Sequence, residues 1–263
     1  MDLGLRDRVC VVTGASRGIG RAVAEGLAGE DARVLLISRH EDALGRISRG
    51  DARPVETLAV DVTARDAPER VLEAATQRFG SSIDVLVNNA GTSEIKPHEE
   101  LTDEDWQQQW ELNVLAPMRL MRAIAPVMAE RGWGRIVNVC SSSGKRPSST
   151  NAAYSVTKAA ELSLSRVFAD AYAGRGVLVN AVAPGPVGGE LWLAPGGLAE
   201  QAARARGSTR EQVLEATASR VPLGRLGQDG EIAGVIVFLC SEAAGFVAGA
   251  AWSVDGGSVP VII

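Results

Sequence analysis

The sequence predicts an α/β fold in which a doubly wound parallel sheet carries helices on both faces. Seven short apolar runs end in turn or polar residues, and segments of helical periodicity lie between them, so strand and helix alternate along the 263 residues. A glycine-rich turn also joins the first apolar run to the first helical stripe. In sheets of this kind, ligands gather beyond the carboxyl ends of the strands.

The predicted strands are 9–13, 34–38, 58–61, 85–88, 136–140, 177–182 and 251–255. Each is a nearly continuous apolar run, the pattern of a strand buried on both faces. Ile19, Val23 and Leu27 form one helical stripe, and Val71, Leu72, Ala75 and Phe79 form another. Thr102 with Asp105 reads as a capping pair opening a long helix through residue 127, with Asn113 inside it. Another helix is expected to begin near Ala152, and Asp229 precedes the apolar pattern Ile232, Val235, Ile236 and Leu239. The stretch 184–207 is expected to be irregular, and 184–215 is read as a segment covering a site. No repeat or low-complexity linker divides the chain, so one domain over 1–263 is expected.

Composition narrows the function. Hydrophobic residues make up 46% and charged residues 22%, an ordinary globular balance. The formal charge of -5 argues against nucleic acid as a partner. Cys10, Cys140 and Cys240 are far apart, which suggests neither a disulfide framework nor a clustered metal site and fits a reducing cytoplasm. His40 and His98 are the only histidines and pair with no zinc-like pattern, so no metal is expected. No apolar run approaches the roughly 18 to 20 residues needed to cross a bilayer, and no signal segment precedes the first run, so no membrane association is expected.

The turn Thr13, Gly14, Ala15, Ser16, Arg17, Gly18, Ile19, Gly20 has G-x3-G-x-G spacing. Gly14 allows a tight turn, Gly18 lets backbone approach a ligand, Gly20 permits close helix packing, and the new helix end offers N–H groups to a pyrophosphate. A glycine-rich structural turn is the plainer reading. Its place between the first strand and the first helix favours a dinucleotide site.

Tyr154 and Lys158 are four apart on the helix expected from Ala152, so they share a face. An ammonium beside a phenol favours the phenolate and makes the tyrosine a usable acid or base near neutral pH. The chain holds only three lysines, which makes a chance pairing less expected, although a surface helix pair remains the alternative. Ser141 ends the strand run 136–140 and offers a hydroxyl to a substrate oxygen. The run Ser141, Ser142, Ser143 before Gly144 also reads as a polar turn. Asn88 and Asn89 end another strand and read as satisfying backbone groups or as shaping a nicotinamide pocket.

With these features the chain resembles the short-chain dehydrogenase/reductase family, particularly its 3-oxoacyl carrier-protein reductase-like members, over nearly its whole length. The matching features are Thr13-Gly14-x3-Gly18-x-Gly20, Asp61, Asn88-Asn89-Ala90-Gly91, Asn113, Ser141, Tyr154-x3-Lys158, Asn180 and Pro184-Gly185. The resemblance implies a Rossmann fold in which Tyr154 transfers a proton, Ser141 steadies the carbonyl or alcohol oxygen, and Lys158 tunes Tyr154 and holds the nicotinamide ribose. Asn113 would support a water chain feeding Lys158. Asp61, with Val62 beside it, would meet the adenine, and Asn89, Ala90 and Gly91 would line the adenine-ribose region. Ser16, Arg17, Ile19, Pro184, Gly185 and Val187 complete the expected cofactor contacts. Members commonly carry threonine where this chain has Gly189.

The expected cofactor is NADPH, because Ser38 and Arg39 follow the second strand where an NAD-binding member usually places an acid. Arg17 supplies a second positive contact for a 2′-phosphate. The expected partner is a small-molecule carbonyl or alcohol, with a mainly apolar ketone or 3-oxoacyl compound favoured by Leu191, Trp192, Leu193, Pro195 and Leu198. Oxidation of a cyclic or sugar-like alcohol is the runner-up, and a cofactor-binding regulator without turnover is the minor alternative. The family commonly assembles as a homotetramer, and the apolar ending Val259, Pro260, Val261, Ile262, Ile263 would be costly to expose.

Overall fold

The structure, a computed structural model, describes residues 2–39 and 55–260. Its strands are β1 (Val9–Thr13), β2 (Arg33–Ser38), β3 (Val55–Ala59), β4 (Val85–Asn88), β5 (Gly134–Val139), β6 (Val177–Pro184) and β7 (Ala251–Val254). They form one sheet in the order β3-β2-β1-β4-β5-β6-β7, with every neighbouring pair parallel. The strand order reverses between β1 and β4, and a crevice opens beyond their carboxyl ends.

The helices among the described residues are α1 (Gly18–Gly29), α2 (Ala67–Phe79), α3 (Asp103–Trp110), α4 (Ala116–Glu130), α5 (Ser142–Lys145), α6 (Ala152–Tyr172), α7 (Glu190–Leu193), α8 (Leu198–Arg206), α9 (Arg210–Ala218) and α10 (Asp229–Leu239). The inner strands β1, β2 and β4 read as continuous apolar runs because both faces are covered. Cys10 and Val12 of β1 pack with Val23 and Leu27 of α1 and Ile232 and Ile236 of α10. Val9 and Val11 point the other way, into a second core with Val71 and Ala75 of α2 and Leu120, Ile124 and Met128 of α4. Each fully buried side chain of this size contributes roughly 1.5–3 kcal/mol. Asn180 fastens the sheet edge, donating from Nδ2 to Val247 O at 2.8 Å and accepting from Ala250 N at 3.0 Å.

Three elements differ from expectation. The third strand is Val55–Ala59, three residues earlier than predicted at its start, and Asp61 lies beyond it. Oδ1 of Asp61 accepts from the N–H and the hydroxyl of Thr63 at 2.9 and 2.8 Å, and this side-chain turn ends the extended run. The helix predicted through residue 127 does begin at Thr102 with a capping box to Asp105, but a π-turn at Glu111–Leu115 divides it into α3 and α4. Pro117 brings no N–H for the bond to the Asn113 carbonyl four residues back, and the backbone widens there. The stretch expected to be irregular, 184–207, holds α7 and α8.

Candidate active site

A continuous cleft of about 1850 Å³ lies over the carboxyl ends of the strands. Gly14, Ser16, Arg17, Gly18, Ile19, Ser38, Arg39, Asp61, Val62, Asn89, Ala90, Gly91, Ser141, Tyr154, Lys158, Pro184, Gly185 and Val187 all line it. Of the residues expected to act in catalysis or to touch the cofactor, Gly20 and Asn113 do not line it. Both sit one layer behind, where they brace its floor.

The glycine turn is built by close approach between β1 and β4. Gly14 has φ +64°, and a Cβ there would stand 2.9 Å from Ala90 Cα. A Cβ at Gly20 would collide with the side-chain amide of Asn89 and the carbonyl of Gly14. Thr13 Oγ1 accepts from the backbone N–H groups of Asn89 and Ala90 at 2.9 and 3.0 Å. The Asn89 amide donates back to the Thr13 and Gly14 carbonyls at 2.9 and 3.1 Å. Both asparagines therefore have structural work to do: Asn88 donates to Asn138 at 2.8 Å inside the core, and Asn89 holds the turn in shape.

Arg17 and Arg39 are exposed beside the cleft. Arg17 reaches Glu190 at 3.5 Å, an exposed pair that holds it weakly. Hydrogen bonds from Thr63 depress the Asp61 carboxyl below its usual range, burial opposes them, and the charge of Arg39 adds to the depression. A Cβ at Gly189 would stand 2.7 Å from Asp229 Oδ1. A side chain at position 189 would have to push the Asp229 carboxylate aside.

Tyr154 and Lys158 lie on one face of α6, with Lys158 Nζ 5.7 Å from the Tyr154 ring centre. Ser141 caps α5 at the end of β5, its Oγ accepting from Ser143 N at 3.1 Å. Lys158 is 3% exposed and turned inward. It donates to Val139 O at 2.9 Å and to Glu161 Oε2 at 2.7 Å. Burial works against its charge, but Glu161 above all, then Tyr154 and Cys140, hold its pKa above the ordinary lysine range. Burial raises the Glu161 carboxyl above its usual range, while Lys158 pulls it down. Asn113, 1% exposed in the π-turn, donates to Gln109 at 2.8 Å and Thr157 at 3.0 Å, and its Oδ1 has no partner. A Cβ added at Gly91 would lie 3.5 Å from Asn113 Oδ1 and 3.6 Å from Lys158 Nζ, so both atoms meet the cleft floor at one point.

Glu161 is the residue sequence reasoning missed. The available signal was an acid three positions after Lys158, on a helix face it shares with Thr157 and Ser165. The outer end of the cleft is closed by α7, α8 and α9, where Ile95 and Trp192 pack on Ala202, Ala203 and Val213. Leu191, Trp192 and Leu198 of the expected apolar wall line the cleft, while Leu193 and Pro195 do not.

A parallel sheet with a glycine turn at its switch point, opening on a tyrosine, a lysine and a serine, defines a dinucleotide-binding oxidoreductase architecture. The chain belongs to the short-chain dehydrogenase/reductase family of oxidoreductases. A family model described as enoyl-(acyl carrier protein) reductase matches residues 14–258. The chain is 35% identical to an uncharacterized oxidoreductase of Bacillus subtilis, over 98% of this chain and 99% of that one. It is 34% identical to a 3-oxoacyl-[acyl-carrier-protein] reductase of Vibrio cholerae, over 97% and 98%. The crystal structure of L-sorbose reductase from Gluconobacter frateurii, complexed with NADPH and L-sorbose, matches with a TM-score of 0.91 and 36% identity over all of both chains.

Proposed function

We propose that the chain is an NADPH-dependent reductase that converts a mainly apolar ketone or 3-oxoacyl compound to its secondary alcohol, reversibly. The observation that carries this reading is Tyr154 and Lys158 on one helix face, opening on the same cleft as Ser141 and the glycine turn. The residues fit a dinucleotide: the turn has the left-handed glycines Gly14 and Gly18 at φ +64° and +57° and no room for a side chain at Gly14 or Gly20.

Ser16, Gly18 and Ile19, at the start of α1, would hold the pyrophosphate. Asp61, Val62, Asn89, Ala90 and Gly91 would hold the adenine side, and Pro184, Gly185 and Val187 the nicotinamide side. When bound, the cofactor supplies the hydride. Ser141 Oγ orients the substrate oxygen, and Tyr154 gives that oxygen a proton in reduction and takes it back in oxidation. Lys158 keeps a positive charge beside the tyrosine, and Asn113 fixes the helix behind it.

Arg17 and Arg39, with Ser38, make the cofactor NADPH in this reading. Dissociation constants for the two reduced cofactors should favour NADPH, and Arg17→Ala with Arg39→Ala should remove at least about tenfold of that preference, the loss of charge-assisted phosphate contacts. Tighter NADH binding by the parent chain would overturn the assignment.

A second reading, oxidation or reduction of a sugar-like compound, draws on the polar side chains Ser143, Ser148 and Asn151 along the cleft and on the likeness to L-sorbose reductase. Arg146, Arg206 and Arg220 also line the cleft, with no ion-pair partner among the described residues, so anionic substrates belong in the comparison. A panel of 3-oxoacyl thioesters, cyclic and aryl ketones, sugar acids and polyols, assayed in both directions, decides between the readings. Reduction of the apolar carbonyl compounds is expected. Efficient polyol oxidation with no such reduction would reject the substrate class, and absence of turnover on every member would favour the regulator.

We further propose a cytoplasmic homotetramer. Light scattering at micromolar concentration should report about four chains, and a stable monomer contradicts this. Val259 is buried, while 261–263 of the apolar ending lie outside the described residues, as does His40.

A further inference from the structure

We infer that Glu161 is a positioning residue for the reaction, a buried carboxylate that pins the Lys158 ammonium and keeps it charged beside Tyr154. This rests on the reading of Tyr154 and Lys158 as the acid-base pair. The geometry is specific. Both side chains of the ion pair are nearly inaccessible, at 4% and 3% exposure, and the oxygen–nitrogen distance is 2.7 Å. Lys158 Nζ has three protons to donate. Val139 O and Glu161 take two of them from the inner side, which leaves the third for the cleft that the residue lines.

An isolated ammonium at this depth would give up its proton rather than stay charged without water. In solution a lysine needs no help to remain charged near neutral pH. Here it does, because the side chain is buried by β5 and α6 before it reaches the cleft. Glu161 is the counter-charge that makes a buried cation compatible with the site, and it fixes the nitrogen in place.

The groups facing Glu161 are few. From α6 they are Lys158 and, beyond it, Tyr154. From the end of β5 comes Cys140, whose thiol is pushed well up, by burial first and by the Glu161 charge second. Glu161 also lines a small void whose other polar residues are Thr13 and Asn88, so no second charge reaches that void from β1, β4 or the start of α4. Among the described residues the carboxylate has one cationic partner, and that cation is Lys158.

The three lysines of the chain make a direct test possible. Protein labelled with ¹³C at lysine Cε shows one signal for each, and Lys158→Arg identifies the third by its loss. In the parent protein, without cofactor, the Lys158 signal should stay flat up to about pH 10 and titrate above the ordinary lysine value near 10.4. In Glu161→Gln, which keeps the shape and removes the charge, the midpoint should fall by at least about one pH unit. The pH profile of alcohol oxidation should then gain a falling alkaline limb that the parent lacks. A loss of fold alone would lower the amplitude and leave the limbs in place.

Glu161→Leu is the second variant if the glutamine form does not fold. A parent midpoint at or below 10.4 overturns the inference with no variant needed, and so does an unchanged midpoint in either folded variant. Tyr154→Phe in the same assay separates the two claims. If it is inactive while Glu161→Gln titrates like the parent, only the role of Glu161 fails. If it is fully active, the catalytic reading fails and the positioning role fails with it.

Discussion

Lys158→Ala is expected to lose both turnover and stability, and the loss of stability should depend on pH. Removing the ammonium leaves Glu161 at 2% exposure with no cation to offset its burial. Breaking a buried pair from one side costs about 3–5 kcal/mol, because an uncompensated charge remains. In the folded variant burial alone would hold the Glu161 carboxyl above its unfolded value. A carboxyl whose folded pKa is raised binds more protons folded than unfolded, so the variant should lose stability as pH rises above about 4.3 and keep it below. Urea unfolding at pH 5 and pH 8 measures this, and equal destabilisation at both would contradict the buried pair.

The double variant Lys158→Met with Glu161→Leu separates packing from chemistry. Replacing a buried pair by apolar residues of similar size is often neutral for stability. Most of the lost stability should therefore return, whereas turnover should not, because the charge beside Tyr154 is absent in both variants.

The sequence made the sheet legible because its inner strands are buried on both faces: the runs at Val9, Val34 and Val85 read as covered strands between helical stripes. It made most of the cleft legible because a backbone that must approach a phosphate leaves glycines at fixed spacing. What it hid has physical reasons. The third strand begins at Val55 with the polar Glu56 and Thr57 and is only partly buried, so no continuous apolar run marks its start. The π-turn at Asn113 follows from the missing N–H of Pro117, which periodicity over a whole helix averages away. An acid on a helix is ordinarily solvated, so nothing in the sequence sets Glu161 apart. Only the packing of β5 against α6 turns this one inward. The bonds of Asn89 to Thr13 and Gly14 were open in the sequence as a backbone role, and geometry gives that side chain to the turn.

Tyr154→Phe tests the central claim most directly. The substitution removes one hydroxyl from a side chain that lines the cleft and leaves the ring, the helix and the Lys158–Glu161 pair in place. A general acid-base group contributes about 10²–10⁴-fold to rate, and a contact made mainly in the transition state lowers kcat and kcat/KM together. Turnover and the NADPH dissociation constant should be measured on the same preparation, with the best carbonyl compound from the panel. The account requires turnover to fall by about 10²–10⁴-fold while NADPH binds within about threefold of the parent, since one hydrogen bond is at stake. Near-parental turnover by the folded variant would contradict it.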